Sequence, residues 1–455
     1  MLRACLAVLV LAPFHALAQP ADLRAALDDV RKRHKAPAVA AGVVRDGRLL
    51  GVGVSGVRAL VPEGEPVPAT IEDRWPTGSC TKPMTRFMIG RLAERGLIDP
   101  KATLATLLPT IKMRPVYRDA TLTQVLAHRA GIQPYTEIGP RITPILFELK
   151  GTPETQRAAF VAHVLQEPPV ADPGTLFEYS NAGFCVAAVA AETRTGKAWE
   201  ALVQEEVLAT LGMTNSIAGR EPDAARQPKG HLRGPDGYRV APRAMAGLAA
   251  MAPAGGVKAT PADFARFAAA YADLQAGRAV GGLSEATARL IVESGPGDQG
   301  DPGSPQMFFG GDGHYTAAFA IWPRLRLGIA VLSNAGESDD LCADAVEAIR
   351  VALADDAPAQ GGGPRAIQVP QGNPPKSPRW GFVLAIEQDS WSIREIVEGS
   401  SAEKSGLLAG DEVVAINGTP LKDLSEGKRA EALRESTVTL GIQRDGKAID
   451  VTLKR

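Results

Sequence analysis

A chain of 455 residues, 45% apolar and 22% charged, is too long for one small domain and has the composition of a soluble globular protein with two or more units. Its 50 basic and 51 acidic side chains nearly cancel, which excludes the one-sided charge of a nucleic-acid binder or a polybasic membrane surface. Cys5, Cys80, Cys185 and Cys342 form neither a CxxC pair nor a zinc-ligand spacing, and the last three read as small buried apolar residues; no metal and no cofactor is expected.

In chain order, Arg3 precedes an apolar run that ends at Ala16-Leu17-Ala18, a small-residue cleavage site before Gln19. Residues 1–18 therefore read as a signal peptide, which makes the expected product secreted and periplasmic. No later stretch reaches about 18 uninterrupted apolar residues, so no membrane span is expected in the mature protein. Residues 21–35 read as an amphipathic helix with Leu23, Leu27 and Val30 on one face. Two apolar runs, 39–44 and 49–54, flank Asp46-Gly47 and predict a hairpin. Gly51-Val52-Gly53-Val54-Ser55-Gly56 matches GxGxxG, but the Pro62 and Pro66 that follow cannot open the helix a dinucleotide site needs.

Thr77-Gly78-Ser79-Cys80-Thr81-Lys82-Pro83-Met84 opens a helix carrying Phe87, Met88 and Leu92, with Gly96 as its stop. Ser79 and Lys82, three apart, share one face. A serine hydroxyl attacks only when a nearby base takes its proton, and a lysine is that base only when its pKa is brought down from about 10.4. The spacing alone is weak, because Ser401…Lys404 and Ser425…Lys428 repeat it. Residues 123–132 predict a short helix ending at Gly131, with His128 capping its end. Residues 151–215 read as mainly helical, and Thr260-Pro261 starts a helix with Phe264, Phe267 and Tyr271 on one face. Strands follow at 317–322 and 327–332, then a helix over about 340–354. Strands at both ends and helices between them give an α+β domain over 19–355. Residues 356–378, with Gly361-Gly362-Gly363 and Pro374-Pro375, read as a linker, and 379–455 as a second, β-rich domain.

An acyl-transfer site needs a nucleophile, a proton shuttle and donors for the oxyanion. Ser79 and Lys82 supply the first pair. Tyr179-Ser180-Asn181 is the single Tyr-x-Asn of the chain, and a tyrosine held near a lysine can serve as a base. Gly310-Gly311-Asp312-Gly313-His314-Tyr315 supplies a glycine-rich strand edge on which a substrate approaches backbone closely.

These three elements, in this order, resemble the serine β-lactamase and penicillin-binding-protein superfamily, which includes class C β-lactamases, D-Ala-D-Ala carboxypeptidases and esterases. Leu126-Ala127-His128-Arg129-Ala130-Gly131-Ile132, Phe177-Glu178-Tyr179-Ser180-Asn181, Leu211-Gly212-Met213 and Ala254-Gly255-Gly256-Val257 extend the likeness over 21–354. It implies an antiparallel sheet flanked by helices, a mainly helical lobe, and an acyl-enzyme route on an ester, amide or D-amino-acid peptide. In that route Ser79 attacks, Lys82 and Tyr179 move its proton, and Asn181 orients Lys82 or a substrate amide. The N–H of Ser79 and one from around residues 315–317 hold the oxyanion. Gly313 and His314 lie where relatives bind substrate. There the sequence departs from relatives, which carry Gly-His-x-Gly or Lys-Thr-Gly before Thr-Pro-Gly-Phe. Alignment on Phe319 puts Asp312 at the cationic position and alignment on Gly313 puts Gly311 there, which leaves recognition of a substrate carboxylate open.

Residues 401–418, ending in the turn pair Asn417-Gly418, resemble the core of a bacterial-type PDZ module, and Gly381-Phe382-Val383-Leu384 its carboxylate-binding loop. The resemblance implies a groove for the C-terminal peptide of a partner, taken up as an added strand. Two readings of the whole chain follow: a serine hydrolase with a peptide-binding module, or a catalytically silent binding protein that retains the fold. The chain lacks the Gly-x-Ser-Gly-Gly of chymotrypsin-type proteases and the Gly-x-Ser-x-Gly of α/β-hydrolases.

Overall fold

The computed structural model describes residues 19–61, 65–136, 145, 148–234, 237–241, 249–293, 305–355, 376–377, 382–387, 390–396, 400–424, 432, 437–444 and 446–454. The expected signal peptide, most of the expected linker and Gly381 lie outside them. Among the described residues no helix is long and apolar enough to cross a membrane, and no cluster of side chains suits a metal ion.

The N-terminal helix α1 is Arg24–Arg33, shorter than its apolar pattern suggests, because Ala21–Asp22 is drawn into the sheet and the Asp22 carboxylate accepts the Arg24 N–H. The hairpin forms as expected: β1 (Ala38–Arg45) and β2 (Arg48–Gly56) are joined by Asp46 and Gly47, both with positive φ. Five long elements follow the serine motif: helices α2 (Thr81–Glu94), α3 (Pro153–Val164), α4 (Asn181–Thr195) and α5 (Pro261–Gln275), then strand β3 (Gln306–Gly311). Strands β4 (Thr316–Trp322) and β5 (Leu327–Ser333) and helix α6 (Asp339–Asp355) complete the unit. The sheet order is Ala21–Asp22, β2, β1, β5, β4, β3, antiparallel throughout except for the parallel two-residue strand at its edge.

Strands β1, β4 and β5 read as apolar runs because both faces of the sheet are covered. Leu27, Val30, Leu341 and Ile349 of α1 and α6 pack on one face, against Val39, Ala41, Val43, Ala318 and Val331. On the other face Phe264, Phe267 and Tyr271 of α5 close around Phe319 in edge-on pairs at 5.6–5.8 Å. Helix α5 comes this close because Gly42 has no side chain: a Cβ there would stand 2.3 Å from the Pro261 carbonyl oxygen.

The helical lobe is built around α2 and α4, whose small and apolar residues are buried almost all round. Its polar centre is Arg157, fully buried, with its guanidinium on Glu192 at 2.8 Å, Glu200 at 2.9 Å and the Ala249 carbonyl at 2.9 Å. Glu192 in turn accepts the Trp199 N–H, while Trp199 Nε1 donates to Thr85 of α2 and Thr85 to the Pro253 carbonyl. The expected helix over 123–132 is only Leu122–Leu126, closed by a Thr121/Gln124 capping box at its start. It ends early because His128 takes a left-handed backbone, φ +57°.

The second unit is an antiparallel sheet running from Lys376–Ser377 to Lys447–Lys454, so it begins inside the stretch read as linker. Trp391, Ile393, Leu407, Val413, Ile416, Val438, Leu440 and Leu453 form its core. Buried Asp411 binds Arg444 at 2.6 Å and accepts the Leu408 N–H. Ser401 donates to the Lys454 carbonyl, which accounts for that Ser-x-x-Lys without any pairing to Lys404.

Arg157→Met leaves Glu192 and Glu200 without their buried cation. Urea unfolding at pH 7 should show a loss of about 3–5 kcal/mol. At pH 5 the gap to wild type should narrow, because Glu192, whose folded-state pKa burial raises, regains stability as it protonates.

Candidate active site

The serine turn is clamped by the strand beside it. Trp75–Pro76 pairs with Val257–Ala259, and Thr77 N and Oγ1 both donate to the Val257 carbonyl at 3.0 Å. Thr81 Oγ1 accepts the Val257 N–H at 3.1 Å from the other side. Gly78, with φ +51°, opens a 3-10 turn over Gly78–Cys80, so Ser79 sits just ahead of α2 rather than within it. Lys82, 2% exposed, reaches back from the first turn of α2. Its Nζ donates to Ser79 Oγ at 3.0 Å and to the Ala254 carbonyl at 2.9 Å. Ala254 belongs to the Ala-Gly-Gly-Val stretch, so that motif supplies a fixed acceptor for the lysine.

Tyr179 is brought to the same amine: Lys82 Nζ lies 4.8 Å from the centre of its ring. The following residue, Ser180, caps α4 by accepting the Gly183 N–H, and its hydroxyl donates to the Gln133 carbonyl at 2.7 Å. Asn181 is tied down on the far side, its N–H to Pro134 and its Nδ2 to the Tyr135 carbonyl at 2.9 Å. The hydrogen bonds of Lys82 thus go to Ser79 and Ala254, and the amide of Asn181 goes to the backbone.

His128 packs beneath Tyr179, stacked at 4.5 Å with 21° between the rings. Its Nδ1 accepts the Ser180 N–H at 2.9 Å, which fixes the neutral tautomer with the proton on Nε2. Burial, with Arg86 and Lys82 adding positive charge nearby, holds its pKa well below the ordinary histidine value. The helix-end role expected for His128 falls to Ala127 instead, and the imidazole serves the Tyr179 segment.

The strand lying on the serine is β3. A Cβ on Gly310 would stand 2.7 Å from Ser79 N and 2.5 Å from the Thr77 carbonyl, and one on Gly78 would stand 2.5 Å from Gly311 N. Backbone therefore meets backbone at Ser79, a geometry that suits an oxyanion site. Residues 315–317, expected to hold that role, lie one strand inward, with Thr316 paired to Gly311 and Ala317 to Gly310. Asp312 closes the turn between β3 and β4 by accepting the N–H groups of His314 and Tyr315 at 2.9 and 3.0 Å. Gly313 packs against Gly336, and His314 packs against Gly230 while its carbonyl accepts the His231 N–H. The described contacts of Gly313 and His314 are thus with the loops beside β4, whereas Gly310 and Gly311 meet the serine turn.

Two residues before Gly310, on the same face of β3, is Phe308, stacked on Phe319 at 4.6 Å. Anchoring the glycine-rich motif on the glycine that touches Ser79 therefore puts Phe308, and neither Asp312 nor Gly311, where relatives carry a cation or imidazole. An apolar residue in a strand gave no signal of this in the sequence, because only the register of β3 on the serine turn reveals it.

The three described cysteines are free and buried, and burial pushes the Cys185 thiol up to about 12, which leaves it inert. In the second unit Phe382, Val383 and Leu384 lie in strand Phe382–Glu387, which pairs with Ser390–Ile396 on one side. On the other side Phe382 and Val383 pair with Ser377 and Lys376.

The beta-lactamase family model matches residues 23–353 and a PDZ domain model matches residues 371–443. Among curated proteins, monacolin J acid methylbutanoyltransferase of Aspergillus terreus is 29% identical over 178 residues, 35% of this chain and 42% of that protein. The chain thus spans less than half the length of the curated relatives it matches. The octameric penicillin-binding protein homologue from Pyrococcus abyssi superposes with a TM-score of 0.60 at 18% identity, over 93% of each chain. A class C beta lactamase from Rhodobacter sphaeroides gives 0.55 at 19% identity, over 72% of this chain and 98% of that one. At these identities the likeness is one of fold.

His128 and His231 are both buried with pKa values held below the histidine norm. A depressed folded-state pKa contributes stability that is complete above about 6.5 and is lost as pH falls below it. The unfolding free energy should therefore fall by up to about 1.4 kcal/mol per pH unit for each such histidine. His128→Asn should remove one share of that slope between pH 6 and 5, and an unchanged slope would refute the neutral assignment.

Proposed function

Because the chain belongs to the beta-lactamase family, we propose that it is a serine hydrolase in which Ser79 forms an acyl-enzyme with the help of Lys82 and Tyr179. The observation that carries this reading is Lys82 Nζ held between Ser79 Oγ and the Ala254 carbonyl, with the backbone of Gly310 against Ser79 N. A substrate carbonyl placed over Ser79 meets the Ser79 N–H and the end of β3 at Gly310 and Gly311, where a developing oxyanion finds backbone donors. The Ser79 proton passes to the Lys82–Tyr179 pair as the Oγ–C bond forms, and from there to the leaving group as the carbonyl re-forms. Water repeats the sequence in reverse to free the acyl group. An acceptor other than water fits the same scheme, as the acyltransferase relative from Aspergillus terreus suggests.

Phe308 narrows the substrate. An aromatic ring stacked in the core cannot pair with a carboxylate, so the favoured substrates are esters or amides without a carboxylate beside the scissile bond, in preference to penicillins or D-Ala-D-Ala peptides. In the second unit, a peptide C-terminus adding along Phe382–Glu387 would replace the chain's own Lys376–Ser377 on that edge.

The test is intact mass after incubation with a p-nitrophenyl ester, a fluorophosphonate and a fluorescent penicillin, on wild type and Ser79→Ala. The expected result is an adduct from the ester and the fluorophosphonate on wild type alone, and none from penicillin. Labelling of Ser79→Ala, or no adduct on either protein, would overturn the acyl-enzyme reading in favour of a binding protein. Penicillin labelling would overturn the role given to Phe308.

A further inference from the structure

A phenol that moves protons must stay within hydrogen-bond reach of its partner, and a displacement of about 1 Å can cost on the order of 10²-fold in rate. Tyr179 has no regular element of its own to hold it, because it precedes the N-cap of α4. We propose that His128 is the positioning residue for Tyr179, gripping it by ring face, ring nitrogen and main-chain carbonyl. This rests on the proton-transfer role given to Tyr179 above.

The imidazole stacks on the phenol ring at 4.5 Å, Nδ1 takes the N–H of Ser180 at 2.9 Å, and the His128 carbonyl takes the N–H of Glu178 at 2.8 Å. The residues on both sides of Tyr179 are thus hydrogen-bonded to one residue, which also supports the ring between them. His128 is itself immobilised: it is 3% exposed and packed against Phe177 and Phe184 at 5.6 and 5.3 Å.

Its backbone shows what is being held. A left-handed φ of +57° costs a non-glycine residue roughly 1–2 kcal/mol, and a helix end that needed only that conformation would be served by Gly or Asn. A histidine there is explained by the ring, which satisfies a segment 52 residues further on rather than its own helix end. The cost of the ring is also visible: Nε2 is buried and has no hydrogen-bond partner among the described residues.

The experiment is a kinetic double-mutant cycle on the full chain with a p-nitrophenyl ester, using His128→Ala, Tyr179→Phe and the double variant, with thermal melts to confirm folding. His128→Ala should lower kcat on the order of 10²-fold with KM little changed. In the Tyr179→Phe background the same change should cost no more than about twofold, because the two residues act as one unit. His128→Asn tolerates the left-handed backbone and offers Oδ1 near the place of Nδ1, so it should recover part of the rate and serves in the cycle if the alanine variant fails to fold. An equal cost in both backgrounds, or a loss confined to KM, overturns the proposal. A Tyr179→Phe enzyme with wild-type kcat overturns the role of Tyr179 as well, and so separates the two failures.

Discussion

The fold depends on what it takes to bury one amine. Lys82 lies inside the protein, and a buried amine is tolerated only where hydrogen-bond acceptors have been placed for it. One acceptor is the Ser79 hydroxyl on its own turn and the other is the Ala254 carbonyl, brought from far along the chain. Holding that carbonyl in place demands that the segment Ala252–Gly255 be anchored to α2, and Thr85 does so through the Pro253 carbonyl. Trp199 then ties Thr85 to the Arg157–Glu192–Glu200 cluster, so the buried charges of the helical lobe and the amine of the site belong to one connected polar network.

Features fixed by short-range chemistry were legible in the sequence. Asp46-Gly47 favours a tight hairpin turn, Thr260 offers a side-chain cap with Pro261 preset for the first helical turn, and Ser79 and Lys82 fall on one side by spacing alone. The features that escaped are set by register and by contacts across the chain. Nothing local distinguishes Gly310 from Gly311 or Gly313, and the choice is made by the Asp312 turn, which sets how β3 and β4 pair. His128 looked like the end of a helix because its partners lie in a segment that the sequence places elsewhere. The start of the second sheet at Lys376 was masked by its Pro- and Gly-rich surroundings.

The site combines two rigidities. The serine turn is gripped by Thr77 and Thr81 on one side and pressed by glycine backbone on the other, so its geometry is held by main chain rather than by flexible side chains. Tyr179 instead stands on a loop, held by side-chain and backbone hydrogen bonds to residues around it. Substitutions among the glycines should therefore move Ser79, whereas substitutions around the loop should move only Tyr179.

The pairing of β1 with β5 joins the two ends of the first unit, and Ser333 Oγ bonds the Ala38 carbonyl across 295 residues of sequence. A chain emerging N-terminus first therefore makes an apolar hairpin whose β1 edge has no partner strand until most of the unit has been synthesised. During that interval the free edge of β1, rich in valine and alanine, is a template for pairing with another chain. The strand that lies against Ser79 arrives in the same late segment. Assembly of the Ser79 site and protection of the sheet edge are thus one event, and a chain stopped short of it would both lack the site and be prone to aggregate.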